Sequence, residues 1–139
     1  MKLFKIGALA MLSVAFVAVS SCSKYEEGSK FTLLSKKARV VGEWNISNIS
    51  VNGTSQDLSG YTYSYEFKKD DTFTASVSFG STTFTDSGTW EFSDDKLRLI
   101  ITDSDGDISD AEILRLASKE MKIIDVNGSD TTITTFTAQ

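Results

Sequence analysis

The chain has 139 residues, of which 14 are basic and 19 acidic, so its formal net charge is −5. This length suits one domain with one core, and the acidic balance argues against nucleic acid and anionic lipid headgroups as partners. The sequence has no histidine, no proline and one cysteine. The commonest general base and metal ligand is therefore missing, and disulfides and Cys/His zinc sites are excluded.

The first 21 residues have the features of an export signal. Lys2 and Lys5 precede an apolar stretch from Ile6 to Val19, and small residues follow it. The apolar stretch is shorter than the roughly 20 residues that a spanning helix needs. Removal of residues 1–21 would leave 12 basic and 19 acidic residues, a net charge of −7. We therefore predict a lipoprotein signal peptide over residues 1–21.

The end of this signal, Val19-Ser20-Ser21-Cys22, resembles the bacterial lipobox. In lipoproteins with that motif, the cysteine receives a diacylglyceryl group on sulfur and becomes the new N-terminus. The alternative is an ordinary signal peptide with an incidental cysteine, but a lone thiol in an exported chain otherwise has no role. The resemblance thus implies lipidation at Cys22 and a membrane partner reached through the lipid.

Residues 22–31 are polar and show no apolar period, which is typical of a tether. Lys24, Glu26 and Glu27 resemble the surface-export signals of Bacteroidetes lipoproteins, although a solvated linker also explains them. The expected location is the outer membrane, on its periplasmic face or at the cell surface.

Residues 31–41 predict a short helix or turn in which Leu33, Leu34 and Val41 cover one opening of the fold. From Gly42 onward the apolar period is two, as in half-buried strands. The pattern predicts eight strands, at 42–51, 61–67, 73–79, 84–92, 97–101, 108–116, 121–126 and 131–137. A slip in phase between Ile46 and Ile49 indicates a bulge, and Asn127-Gly128 indicates a hairpin turn.

Short connections force neighbouring strands to be antiparallel. Eight such strands favour closure, because closure removes exposed edges. The alternative is an open sandwich, whose connections would be longer and would cross between sheets. The fold class is therefore predicted as all-β, an eight-stranded antiparallel up-and-down barrel with a short N-terminal helical turn, over residues 32–139.

Two Gly-x-Trp triplets, Gly42-Glu43-Trp44 and Gly88-Thr89-Trp90, stand out in this pattern. The first resembles the first-strand motif of lipocalins, in which the tryptophan plugs the closed end of the barrel. The segments 70–73, 86–92 and 96–99 are similar to compact lipocalin-like domains of Bacteroidetes lipoproteins. The resemblance covers roughly residues 34–137 and implies a lipocalin-like barrel that binds a small hydrophobic ligand.

The chain also departs from that family. It has no C-terminal helix, the segment Thr102-Asp103-Ser104 lacks the aromatic residue of a Thr-Asp-Tyr motif, and the last strand has no arginine to pack on Trp44. Avidins share the eight strands and a Gly-x-Trp start, but their ligand needs several tryptophans and this chain has two. These departures limit what the resemblance implies about the ligand.

Alternating aromatic residues over 61–67 would supply a pocket with apolar walls and orienting hydroxyls if they face inward. The candidate ligand-binding residues are Trp44, Tyr61, Tyr63, Tyr65, Phe79 and Trp90. The rings could instead fill the interior, since eight strands enclose room for side chains or for one small ligand. The expected function is binding of a small apolar or amphipathic ligand in the barrel. The alternative is a structural or interaction protein with a filled barrel, whose loops contact another envelope protein or a glycan.

Asp103, Asp105 and Asp107 lie in the densest acidic cluster and are a weak alternative for a calcium site. Gly106 stands at the fourth position of this loop where an EF-hand needs it at the sixth, so a solvated turn is favoured. Glu66, Glu91 and Glu112 could pair for glycoside hydrolysis, but nothing in the sequence sets their spacing. We predict no catalytic residues and no cofactor, and the chain is not expected to be an enzyme.

Overall fold

The computed structural model describes residues 34–139. The predicted signal peptide, Cys22 and the tether over 22–31 lie outside this range, as does Leu33. One short helix comes first, α1 (Lys36–Val40), followed by nine strands. The strands are β1 (Gly42–Val51), β2 (Thr54–Ser55), β3 (Tyr61–Phe67), β4 (Thr72–Phe79), β5 (Thr82–Phe92), β6 (Arg98–Asp103), β7 (Ile108–Leu116), β8 (Glu120–Asn127) and β9 (Asp130–Ala138).

The eight long strands form a closed antiparallel barrel. Each pairs with the next along the chain, and β1 closes the circle by pairing with β9. This arrangement confirms the predicted fold class, including the short N-terminal helix. The two-residue strand β2 was not predicted; it pairs only with the end of β1, through Ser50–Ser55 and Val51–Thr54.

The predicted bulge in β1 is confirmed, because the pairing with β9 shifts register between Ile46 and Asn48. The bulge returns Ile49 to the inner face after Ser47 and Asn48. A second register shift lies between Ile113 and Arg115 in β7. It places Ile113 and Leu116 in the core although they are three residues apart, which explains the weak alternation of that strand.

One end of the barrel is filled and is called the closed end here. It consists of α1 and the turns 68–71, 93–97 and 117–119. The buried side chains there include Val40, Trp44, Phe67, Trp90, Leu99, Leu116 and Met121. The expectation for the preceding segment was wrong in one respect: Val40 is the fully buried plug, whereas Leu34 is 49% exposed. A helix starting at the N-cap Ser35 rotates Leu34 away from the barrel.

The structure at the closed end explains why both triplets combine a glycine with a tryptophan. Gly42 has a φ of +146°, a backbone conformation that disfavours a side chain. At Gly88 a Cβ atom would lie 1.9 Å from the carbonyl oxygen of Thr102, so β5 and β6 approach too closely for any other residue. The tryptophans that follow donate from Nε1, Trp44 to the Val40 carbonyl at 2.8 Å and Trp90 to the Lys68 carbonyl at 3.1 Å.

Candidate functional site

The opposite end, called the mouth here, is surrounded by the connections 52–60, 80–81, 104–107 and 128–129. A cavity of about 470 Å³ occupies this half of the barrel. Its volume lies in the range of small-molecule pockets, which is about 300–1,000 Å³. The inner face therefore divides into a filled layer at the closed end and an unfilled layer at the mouth.

Apolar and aromatic side chains form the floor and most of the wall of the cavity. Phe73 and Phe136 separate it from the closed-end core, and the Tyr65 ring meets Phe136 edge-on with centroids 5.5 Å apart. Small side chains leave the space open: Ala75 lines it beside Tyr65 and Phe73, and Ala111 lines it beside Ser109. Isoleucines from three strands complete the wall: Ile46, Ile49, Ile101 and Ile123.

The pairing of β1 and β3 opens toward the mouth. The two strands pair only from Gly42–Phe67 to Asn45–Ser64, and beyond that point the connection 52–60 lies between them. Its backbone is tied to β1 by the Gln56 amide, which donates to the Ile49 carbonyl at 2.7 Å. Tyr63 of β3 and Ile49 of β1 line the cavity on either side of this gap.

The candidate residues predicted from the sequence fall into three groups. Tyr63 and Tyr65 line the cavity. Tyr61 and Phe79 stack on each other at the rim with centroids 4.7 Å apart and are about half exposed. Trp44 and Trp90 are buried in the closed-end core and do not line the cavity. The structure therefore brings four of the six together at the mouth.

Polar residues at the mouth were missed as ligand-binding residues, although Asp103 and Asp107 were considered for calcium. Four aspartates line the cavity, Asp86, Asp103, Asp107 and Asp125, together with Ser109, Thr132 and Thr134. A signal for two of them was present in the sequence. Asp86 is in phase with the inward Trp90, and Asp125 is in phase with the inward Met121 and Ile123.

The carboxylates are held by neutral donors. Asp86 accepts hydrogen bonds from the Ser104 hydroxyl at 2.8 Å and the Ser87 amide at 2.7 Å, and these bonds hold the pKa of Asp86 below its usual range. Asp103 accepts from the amides of Asp105 and Asp107 at 3.0 and 2.9 Å. Burial, and secondarily the Asp86 charge, raises the pKa of the Tyr65 phenol above its ordinary value.

The weak calcium alternative gains no support from the geometry. Among residues 34–139, no three His, Cys, Asp or Glu side chains converge as metal ligands. The Asp103 carboxylate instead closes its own turn by the two amide bonds described above. The glutamates considered for hydrolysis, Glu66, Glu91 and Glu112, are exposed and lie on β3, β5 and β7, which are not neighbours. In the described part of the chain, no helix is long and apolar enough to cross a membrane.

A family model agrees with this fold. The family model described as "Lipocalin-like domain" matches residues 40–123. Japanin from Rhipicephalus appendiculatus, in a structure bound to cholesterol, aligns with a TM-score of 0.51 and 14% identity over 76% of this chain and 79% of that chain. A de novo designed fluorescence-activating β-barrel aligns with a TM-score of 0.49 and 12% identity over 76% of this chain and all of that one. No curated protein sequence matches the chain.

Proposed function

The chain belongs to the lipocalin-like domain family, and we propose that it binds a small apolar or amphipathic ligand in the mouth half of its barrel. The cavity of about 470 Å³ is the observation that carries this proposal. A barrel that serves only as a scaffold would be filled throughout, as the closed end is. The cholesterol bound to japanin, a protein of similar fold, adds support for an apolar ligand.

We further propose that a lipid on Cys22 anchors this domain in the outer membrane of a bacterial envelope, in a Bacteroidetes-type lipoprotein. The support is the lipobox-like segment ending at Cys22 and the polar tether that follows it. The described chain enters the barrel through α1 at the closed end. An anchor on this side leaves the mouth at the far end, where a ligand can enter from the aqueous phase.

A substitution that fills the cavity tests ligand binding directly. Ala75 lies on the cavity wall between Tyr65 and Asp86, so the phenyl ring of Ala75→Phe occupies the space of the ligand. With decanol as the probe, calorimetry should show saturable binding to the unmodified protein and to the size-matched control Ala75→Ser, and at least about tenfold weaker binding to Ala75→Phe. Equal binding by all three proteins would place the decanol elsewhere and contradict the proposal.

An interaction role remains as a second candidate because of the rim. Tyr61, Phe79 and Phe84 are 47%, 55% and 70% exposed around one side of the mouth, and exposed apolar patches mark contact sites. This candidate predicts that Phe84→Ser abolishes capture of an envelope protein or glycan while decanol binding stays within about twofold. Loss of decanol binding in Phe84→Ser would instead assign the rim to ligand entry.

A further inference from the structure

The charges of the barrel are distributed unevenly along its axis. Residues 34–139 contain ten basic residues, and all of them lie at the closed end or in the strand halves next to it. Three are on α1: Lys36, Lys37 and Arg39. Four are in the closed-end turns: Lys68, Lys69, Lys96 and Lys119. The other three are at strand positions near those turns: Arg98, Arg115 and Lys122.

Acidic residues at the closed end balance this charge. Four ion pairs there join Lys37 to Asp71, Lys68 to Glu66, Arg98 to Asp110 and Arg115 to Glu120. Nine of the acidic residues lie in these strand halves and turns, and a tenth, Asp110, lies nearer the mouth on β7 but is paired with Arg98. With Asp110 included, the acidic residues equal the basic ones in number, so this part of the barrel has no net charge.

The mouth carries the whole net charge of the described chain. Seven aspartates lie there, Asp57, Asp86, Asp103, Asp105, Asp107, Asp125 and Asp130, and no lysine or arginine of residues 34–139 accompanies them. Four of the seven line the cavity itself. A concave site lined by one sign of charge and walled by apolar side chains concentrates its electric field.

This charge persists when the protein is folded at neutral pH. The bonds to Asp86 and Asp103 come from hydroxyl and amide donors, which orient a carboxylate without neutralising it. The charge also reaches the interior, because Asp86 contributes to the raised pKa of Tyr65 on the cavity wall. An apolar anion entering this mouth would be repelled, and an apolar cation would be attracted.

We propose that the ligand of this cavity is a cationic amphiphile, an apolar body that carries an ammonium group held at the mouth. This assignment rests on the proposed function, ligand binding in the cavity, and specifies in addition that the ligand is positively charged. The body fits the isoleucine, alanine and phenylalanine wall, while the cation lies among Asp86, Asp103 and Asp125. Tyr63 and Tyr65 line the same space, where an aromatic ring can stabilise a desolvated cation further.

Three probes with the same alkyl chain and different head groups test the charge. Decyltrimethylammonium and decanoate, each below its micelle concentration, and decanol below its solubility limit are titrated into the purified full chain by calorimetry at low salt. The ammonium probe should bind at least about tenfold tighter than decanol, equivalent to about 1.4 kcal/mol, and decanoate should bind weakest. The preference should shrink at high salt, since a Debye length of about 3 Å at 1 M screens charges at an open mouth.

Matched variants locate the effect. Asp86→Asn and Asp125→Asn remove one charge each from the cavity wall and should lower the ratio of ammonium-probe affinity to decanol affinity by about threefold or more. Asp94→Asn removes the same charge from an exposed closed-end turn and should leave both affinities unchanged. Circular dichroism of each variant checks that the barrel is folded.

The outcomes separate this inference from the proposed function. If decanol and decanoate bind as tightly as the ammonium probe, the charge assignment is wrong and the cavity still binds apolar compounds. If none of the three binds saturably, the proposed function fails and the charge assignment with it. If Asp94→Asn weakens binding as much as Asp86→Asn, the preference comes from overall charge and the assignment to the mouth is overturned.

Discussion

Tyr65 and Asp86 flank the same residue on the inner face of the barrel, Ala75, which pairs with Tyr65 on β3 and with Asp86 on β5. The phenol and the carboxylate thus share one side of an otherwise apolar cavity wall. This placement brings together the two properties that the account depends on, an unfilled interior and a negative mouth.

The first prediction concerns the titration of Tyr65. Burial and the Asp86 charge both disfavour the tyrosinate, so the pKa of Tyr65 should lie above the ordinary tyrosine value of about 10. A raised pKa in the folded state stabilises the protein below the unfolded pKa of about 10, and this contribution is lost as the pH rises through the folded pKa. Tyrosinate absorption of the unmodified protein and of Tyr65→Phe should show the late-titrating group and its disappearance.

Asp86→Asn serves as the companion variant in that titration. It removes the smaller of the two causes, so the pKa of Tyr65 should fall while staying above its ordinary value. An unchanged titration in Asp86→Asn would mean that the carboxylate charge does not reach the cavity wall.

The second prediction concerns Gly88. The methyl group of Gly88→Ala would lie 1.9 Å from the Thr102 carbonyl oxygen and 2.9 Å from the Phe73 ring, so β5 and β6 must separate. We expect a loss of about 2–4 kcal/mol in the free energy of unfolding, measured in urea. Ser87→Ala, the neighbouring exposed position on β5, should cost less than about 0.5 kcal/mol; equal costs at both positions would contradict the close strand contact.

The third prediction separates the tryptophans from ligand binding. Trp44→Phe removes the indole donor to the Val40 carbonyl in a buried site, which should cost about 1–3 kcal/mol of stability. Decanol affinity should stay within about twofold, because Trp44 lies in the closed-end core below the cavity. A large loss of affinity in a folded Trp44→Phe protein would show that the ligand reaches the closed end.

The fold could be predicted better than the site. Alternation along a strand shows which residues face inward, but it does not show their height, meaning their position along the barrel axis. Period two identified the inward positions, including Trp44, Tyr65 and Trp90. Height along the axis depends on strand tilt and register, which a one-dimensional pattern does not contain. For that reason the six aromatic candidates were grouped together, although the barrel places Trp44 and Trp90 in the filled layer and Tyr63 and Tyr65 in the open one.

The same limit explains the missed aspartates and the misplaced plug. An inward-facing aspartate is unexpected in the middle of a core strand. Asp86 is tolerated because it lies near the mouth, where it is exposed and accepts a hydrogen bond from the Ser104 hydroxyl. Val40 rather than Leu34 fills the closed end because α1 begins directly after its N-cap, Ser35. A start of the helix one residue earlier or later would turn a different side chain toward the barrel. Sequence patterns locate such boundaries poorly.

The fourth prediction concerns the anchor. Cys22→Ser should abolish incorporation of a labelled fatty acid and release the domain from the membrane fraction, because two or three acyl chains are required for stable anchoring. Ser20→Ala, which keeps a small residue near the predicted cleavage site, should retain both. Membrane association that survives Cys22→Ser would contradict the lipid anchor.

The most direct measurement of the central claim, that the mouth half of the barrel takes up an apolar body, uses neighbouring isoleucines that face opposite sides of the wall. Ile101 and Ile123 line the cavity, whereas the adjacent Ile100 and Ile124 alternate to the outer face. Methyl NMR spectra are recorded as decanol is added to the folded protein. We predict saturable shifts at Ile101 and Ile123 with little change at Ile100 and Ile124; saturable shifts confined to the outer pair, or none at the inner pair, would contradict the account.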